Sequence, residues 1–170
     1  MLKNIIILFL VTLIPGLELR ASIPMGIFGG KYIGEPLEWP IVTAICIVSN
    51  IVIGWAVFFL LDPAMRIIRK WAFLDRLAQK YLDRAQRKLY PQVRKYGFWG
   101  VSIFIGIPLP LTGAYTGAAG AYALGMNKKD FMLANVAGVL IAAVCVTTVC
   151  LLLQAGIEHP LLKFLIETGD

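Results

Sequence analysis

The chain has 170 residues, 59% hydrophobic and 15% charged, with a formal net charge of +6. Soluble domains are about half apolar and about a quarter charged, so this chain has too few charges to coat a water-facing surface. The composition excludes an ordinary soluble globular protein and predicts a small all-α integral membrane protein.

The first apolar run, Ile5 to Ile14, follows Lys3 as in a secretory leader, but Pro15-Gly16-Leu17-Glu18 offers no small-residue cleavage site. The run is therefore expected to stay on the protein. Two stretches, Asn4 to Ile14 and Ala21 to Lys31, each reach only about 16 to 18 Å as helices, roughly half the hydrocarbon thickness. Pro15-Gly16 separates them and forces a turn. The pattern predicts a re-entrant helical hairpin with Pro15, Gly16 and Pro24 at its tip; a single crossing helix bent at its proline is the alternative.

Glu18 and Arg20 belong to that tip. A carboxylate and a guanidinium at bilayer depth are costly unless they pair or face water, so the pair reads as a substrate or proton site. Two residues apart in an extended or turn segment, their side chains point the same way. The competing reading is a fixed salt bridge that closes the tip.

Trp39 to Leu61 follows, 23 residues without a charge and long enough to span. Residues 64 to 96 then hold ten Lys/Arg against two Asp, which places them in the cytoplasm of an inner membrane and makes the protein multi-pass. Ile67, Trp71, Leu74, Ala78, Tyr81, Ala85 and Leu89 recur at spacings of three and four, the stripe of one amphipathic helix lying in the interface. Its basic face favours anionic membrane lipid. Nucleic-acid binding, the other use of a basic helix, is disfavoured by the neighbouring spans.

The second pair of short runs, Gly97 to Ile107 and Gly113 to Leu124, surrounds Pro108-Leu109-Pro110. This predicts a second hairpin with Pro108 and Pro110 at an uncharged tip, lined by the hydroxyls of Thr112, Tyr115 and Thr116. Gly113, Gly117, Gly120 and Ala121 permit close helix contact. Phe131 to Leu153 is the second span, also 23 residues without a charge. Asn50 and Asn135, one in each span, are expected as interhelical hydrogen-bonding groups or as polar lining.

Shifting the second half by 93 positions lays Pro108 on Pro15 and Met132 on Trp39, a weak internal repeat that predicts one hairpin dipping from each face. The expected organisation is a single membrane domain: 1–61, first hairpin and span; 62–96, basic linker helix; 97–153, second hairpin and span; 154–170, tail. Cys46, Cys145 and Cys150 fall in the spans and act as small apolar residues, and His159 reads as a surface group in the tail. No metal site, cofactor or catalytic residue is expected, because no nucleophile stands with a base and no phosphate-cradling loop is present. So little volume lies between two spans that a homo-oligomer is expected.

Pro15-Gly16-Leu17-Glu18-Leu19-Arg20-Ala21-Ser22-Ile23-Pro24 and Gly106-Ile107-Pro108-Leu109-Pro110-Leu111-Thr112-Gly113-Ala114-Tyr115-Thr116-Gly117 together resemble the small multidrug export protein family, over roughly residues 5 to 155. The resemblance implies efflux of small amphipathic compounds. The layout is more distantly similar to DedA-type membrane proteins, which implies translocation of a lipid-carrier phosphate with proton coupling. The arginines of the DedA second hairpin have no counterpart between Gly97 and Gly125, so that carry-over rests on Glu18, with Arg20 standing in for the missing positive charge. A non-transporting membrane scaffold, recruiting lipid or a partner through the basic helix, is the reading of another class.

Overall fold

The computed structural model describes residues 2–29, 33–107 and 113–156. The expected second tip at Pro108, Pro110 and Thr112, as well as Lys31 and the tail with His159, lies outside those residues. The described residues form seven helices and no strand.

Helix α1 (Leu2–Thr12) stops before Pro15, the chain turns over residues 13–17 with Gly16 at φ +89°, and α2 (Glu18–Phe28) follows. The runs thus end where the prolines predict, with two differences. Glu18 and Arg20 occupy the first turn of α2 and not an extended segment. Pro24 lies inside α2 and not at a tip. Its ring fixes a φ that suits a helix, and a proline is tolerable in a short helix enclosed by neighbours.

Helix α3 (Trp39–Ile68) and helix α7 (Lys128–Gln154) are the described helices long and apolar enough to cross a membrane. Pro40 sits at the second position of α3, where its missing amide costs nothing. The Asn127 side chain caps α7 by accepting from the Lys129 amide at 3.3 Å. Helix α3 runs on past Asp62-Pro63, and α4 (Ala72–Tyr96) begins only after a break at residues 69–71. The expected single basic helix is therefore the end of α3 plus α4, with Ile67 and Trp71 outside α4.

The stripe on α4 divides as well. Leu74 and Tyr81 are exposed, whereas Ala85 and Leu89 are buried against Gly120 of α6 (Ala114–Ala123); off the stripe, Leu77 is exposed and Leu82 buried. Helix α5 (Phe98–Gly106) begins beside the end of α4, where a Cβ on Gly100 would lie 2.2 Å from the Gln92 carbonyl oxygen. The end of α6 returns to the start of the basic segment, since Tyr122 donates to Asp62 at 2.9 Å.

Helices α1, α2 and α3 pack on one another, as do α5, α6 and α7; across the halves α2 lies on α7 and α6 on α3. One core runs through all seven, from Leu8 and Ile23 through Val42 and Leu89 to Ile105, Ala118 and Phe131. Phe58 and Phe131 stack at 4.3 Å. Helix α5 approaches α7 so closely that a Cβ on Gly138 would lie 2.7 Å from the Ser102 carbonyl oxygen. Val48 and Val52 of α3 and Leu133, Leu140 and Val144 of α7 stay on the outside.

Candidate functional site

The two helix breaks meet. Glu18, first residue of α2, is only 2% exposed, and its carboxylate accepts hydrogen bonds from the amides of Ala114 at 3.2 Å and Tyr115 at 3.5 Å. Those amides open α6. The first amides of a helix have no partner within it and carry a partial positive charge, so a carboxylate is a fitting acceptor. Gly113 makes room: its φ is +125°, and a Cβ there would stand 2.4 Å from Glu18 Oε2. The sequence assigns Gly113 to helix packing, but its place is against the carboxylate.

Glu18 itself has φ +48°, a left-handed conformation that costs a non-glycine residue about 1–2 kcal/mol. A strained, buried, charged residue that the surroundings hold in place is the pattern of functional positions.

Arg20, two residues on, also reaches across. Its Nη2 donates to the Ile107 carbonyl at 3.0 Å, at the C-terminal cap of α5. A cation there meets the negative end of the helix, as Glu18 meets the positive end of the next one. In return, the Tyr115 hydroxyl donates to the Leu13 carbonyl, just past the end of α1. Each returning helix thus carries, in its first turn, a donor for the carbonyl that ends the other pair's incoming helix. The hydrogen bonds of Glu18 to Ala114 and Tyr115, and of Arg20 to Ile107, run to the second break.

Two hydroxyls that the sequence analysis passes over knit the first pair together. Thr12 Oγ1 lies 2.8 Å from Ser22 Oγ, and Ser22 Oγ donates to the Glu18 carbonyl at 3.0 Å. Both are fully buried, and the Cys46 thiol of α3 contacts the same two groups. The available signal is spacing: Ser22 stands one helical turn after Glu18, and Thr12 closes α1.

Asn135 is fully buried over Gly54 and donates Nδ2 to the Ile51 carbonyl of α3 at 3.2 Å. Its bond runs to the backbone of α3 and not to the Asn50 side chain. The Oδ1 atoms of Asn50 and Asn135 are buried without a hydrogen-bond partner among the described residues. Thr116 lines a hollow with Tyr81, Arg84 and Lys88 of α4. Of the expected site residues, Glu18, Arg20 and Tyr115 converge with the break at Pro15 and Gly16; Asn50, Asn135 and Thr116 stand elsewhere. Among the described residues no group of three His, Cys, Asp or Glu gathers in one place.

A family model described as "Putative small multi-drug export protein" matches residues 18–145. Neither the curated proteins nor the solved structures give a match.

Proposed function

The chain belongs to the small multi-drug export protein family, and on that basis we propose that it is a multi-pass membrane exporter of small amphipathic molecules whose working site is the Glu18 contact. The observation that carries this reading is a buried carboxylate tied to the start of a helix 96 residues away. Ionisable groups in a membrane interior mark ion and proton routes.

Ionised, Glu18 holds the first amides of α6. Protonation converts one of its oxygens from acceptor to donor and weakens that hold. A proton or a cationic substrate arriving at Glu18 then competes with α6, and Arg20 supplies the counter-charge at the neighbouring helix end. The two halves rock against each other as the tie opens and closes.

An inverted repeat of two re-entrant pairs gives this motion its geometry. It is supported by the reciprocal packing of α2 on α7 and α6 on α3, and by α4 touching both α5 near its start and α6 near its end. The basic excess of residues 64–96 supports a place for α4 on the cytoplasmic side of an inner membrane. The exposed apolar faces of α3 and α7 are the surfaces for lipid and for a second copy.

The test is efflux of a fluorescent organic cation from vesicles holding the purified protein under an imposed pH gradient. Glu18→Gln is expected to abolish efflux and Arg20→Ala to retain it. Efflux by Glu18→Gln at the wild-type rate sinks the reading.

One observation favours a second reading, a DedA-like translocase of a lipid-carrier phosphate: the start of α6 is already an anion site. There a phosphate displaces Glu18 and engages Arg20, so Arg20→Ala abolishes translocation and Glu18→Gln retains it. A scaffold would instead lose function only when Arg84, Arg87 and Lys88 are neutralised.

A further inference from the structure

Two hollows on the outer side of α4 share a wall. The first, about 500 Å³, is lined by Ile68, Leu74, Leu77, Ala78 and Lys80 and reaches Tyr81 and Arg84. The second, about 550 Å³, begins at the same Tyr81 and Arg84 and continues to Arg87, Lys88 and, from the first turn of α6, Thr116. Both walls are largely apolar; the cationic heads of Arg84, Arg87 and Lys88 gather at the second hollow, whereas Ile68, Leu74 and Leu77 give the first its aliphatic stretch.

From Leu77 to Lys88 the helix advances about 16 Å, long enough for the two hollows together to seat a headgroup and part of an acyl chain. Among the described residues no carboxylate lines the cationic hollow; Asp83 of α4 lines a different one, with Arg69. Two guanidiniums, an ammonium and two hydroxyls form a donor set for a phosphate, and the guanidiniums suit its oxygens by paired N–H donors. An organic cation would be repelled there.

We propose that these joined hollows bind one anionic phospholipid, with an acyl chain along Leu74, Leu77 and Ala78 and the headgroup phosphate among Arg84, Arg87, Lys88 and Thr116. The apolar neighbour identifies the occupant, since a free phosphate would leave it unused. The site is separate from Glu18 and does not rest on the export reading.

The experiment is native mass spectrometry of the full chain in detergent, titrated with phosphatidylglycerol, with phosphatidylcholine, and with inorganic phosphate alone. The expected result is one retained phosphatidylglycerol, no comparable retention of phosphatidylcholine, and displacement by inorganic phosphate only at far higher concentration. Neutralising Arg84→Gln, Arg87→Gln and Lys88→Gln together is expected to weaken retention about a hundredfold. Leu77→Ser is expected to weaken retention of the lipid without changing the response to phosphate. Arg84→Lys with Arg87→Lys, which keeps the charge but loses the paired donors, is expected to retain the lipid less tightly than wild type and more tightly than the neutral triple variant. Equal retention of the two lipids, or wild-type retention by the neutral triple variant, overturns the proposal. Phosphate binding as tightly as the lipid overturns it too, assigning the hollow to a free anion. Loss of Glu18→Gln efflux with lipid retention intact would separate this site from the exporter's.

Discussion

The amide of Ala114 donates to the carboxylate of Glu18 at 3.2 Å, so the first residue of α6 is held by the first residue of α2. Removing the acceptor strands two amides in a place where little water reaches. Glu18→Ala is therefore expected to lower unfolding stability in detergent by about 1–3 kcal/mol. Glu18→Gln keeps an acceptor oxygen and should lose about 1 kcal/mol. Thermal unfolding should rank wild type above Gln and Gln above Ala; an Ala variant as stable as wild type would mean that the contact contributes nothing to the fold.

Gly113 has two separate reasons to be glycine, its φ of +125° and the 2.4 Å that would separate a Cβ from Glu18 Oε2. Gly113→Ala should cost about 2 kcal/mol or more. Combining it with Glu18→Ala relieves the steric part and leaves the backbone part, so the double variant should be more stable than the sum of the singles predicts. Simple additivity would show that the carboxylate is not what crowds residue 113.

Much of this fold is written in local patterns. The uncharged runs at Trp39 and Phe131 mark α3 and α7, and Pro15-Gly16 marks the end of α1, because length and backbone chemistry act within a few residues. Pro24 misleads for the same reason: its effect depends on what surrounds α2, which no local pattern carries. The stripe on α4 is visible as a stripe, but which half stays exposed and which meets α6 is decided by Gly120, more than thirty residues away. Glu18 and Arg20 stand out by their charge in an apolar setting. Their partners at 114 and 107 do not, since backbone amides and carbonyls are the same in every residue.

The hydroxyl of Tyr115 at the Leu13 carbonyl and the guanidinium of Arg20 at the Ile107 carbonyl are counterparts in the two halves. Tyr115→Phe should cost about 1 kcal/mol and Arg20→Met about 1–3 kcal/mol, the larger figure reflecting a charged donor. Both caps start from the junction that Glu18 holds. The double variant is therefore expected to deviate from additivity by at least about 0.5 kcal/mol in a denaturation cycle. Strict additivity would mean that the two breaks open independently.

Asn50 is 2% exposed, and its Oδ1 has no hydrogen-bond partner among the described residues, whereas Asn135 bonds the Ile51 carbonyl. Replacing an unsatisfied buried polar group by an apolar one of similar size is neutral or stabilising. Asn50→Leu should leave the melting temperature unchanged or raise it, and Asn135→Leu should lower it, because the Ile51 bond is lost and the larger branch meets Gly54. If Asn50→Leu melts normally yet exports poorly, the orphan oxygen serves transport and not the fold.

Orientation offers a test that depends on no substrate. Tyr122 reaches Asp62 at 2.9 Å and the Lys128 ammonium lies over the Phe59 ring at 5.7 Å, so the end of α6 and the start of α7 sit beside the end of α3. Because the basic segment starts there, the positive-inside rule predicts Lys128 on the same side of the membrane as that segment. In a variant without Cys46, Cys145 and Cys150, single cysteines at Lys3, Lys128 and Asp170 should react with an impermeant thiol reagent from outside, inside and outside. Were residues 97–124 one bent crossing, the label at 128 would switch to the outside and that at 170 to the inside. The contact of Tyr122 with Asp62 is what the hairpin expectation requires, because there the end of α6 returns to the face of Asp62.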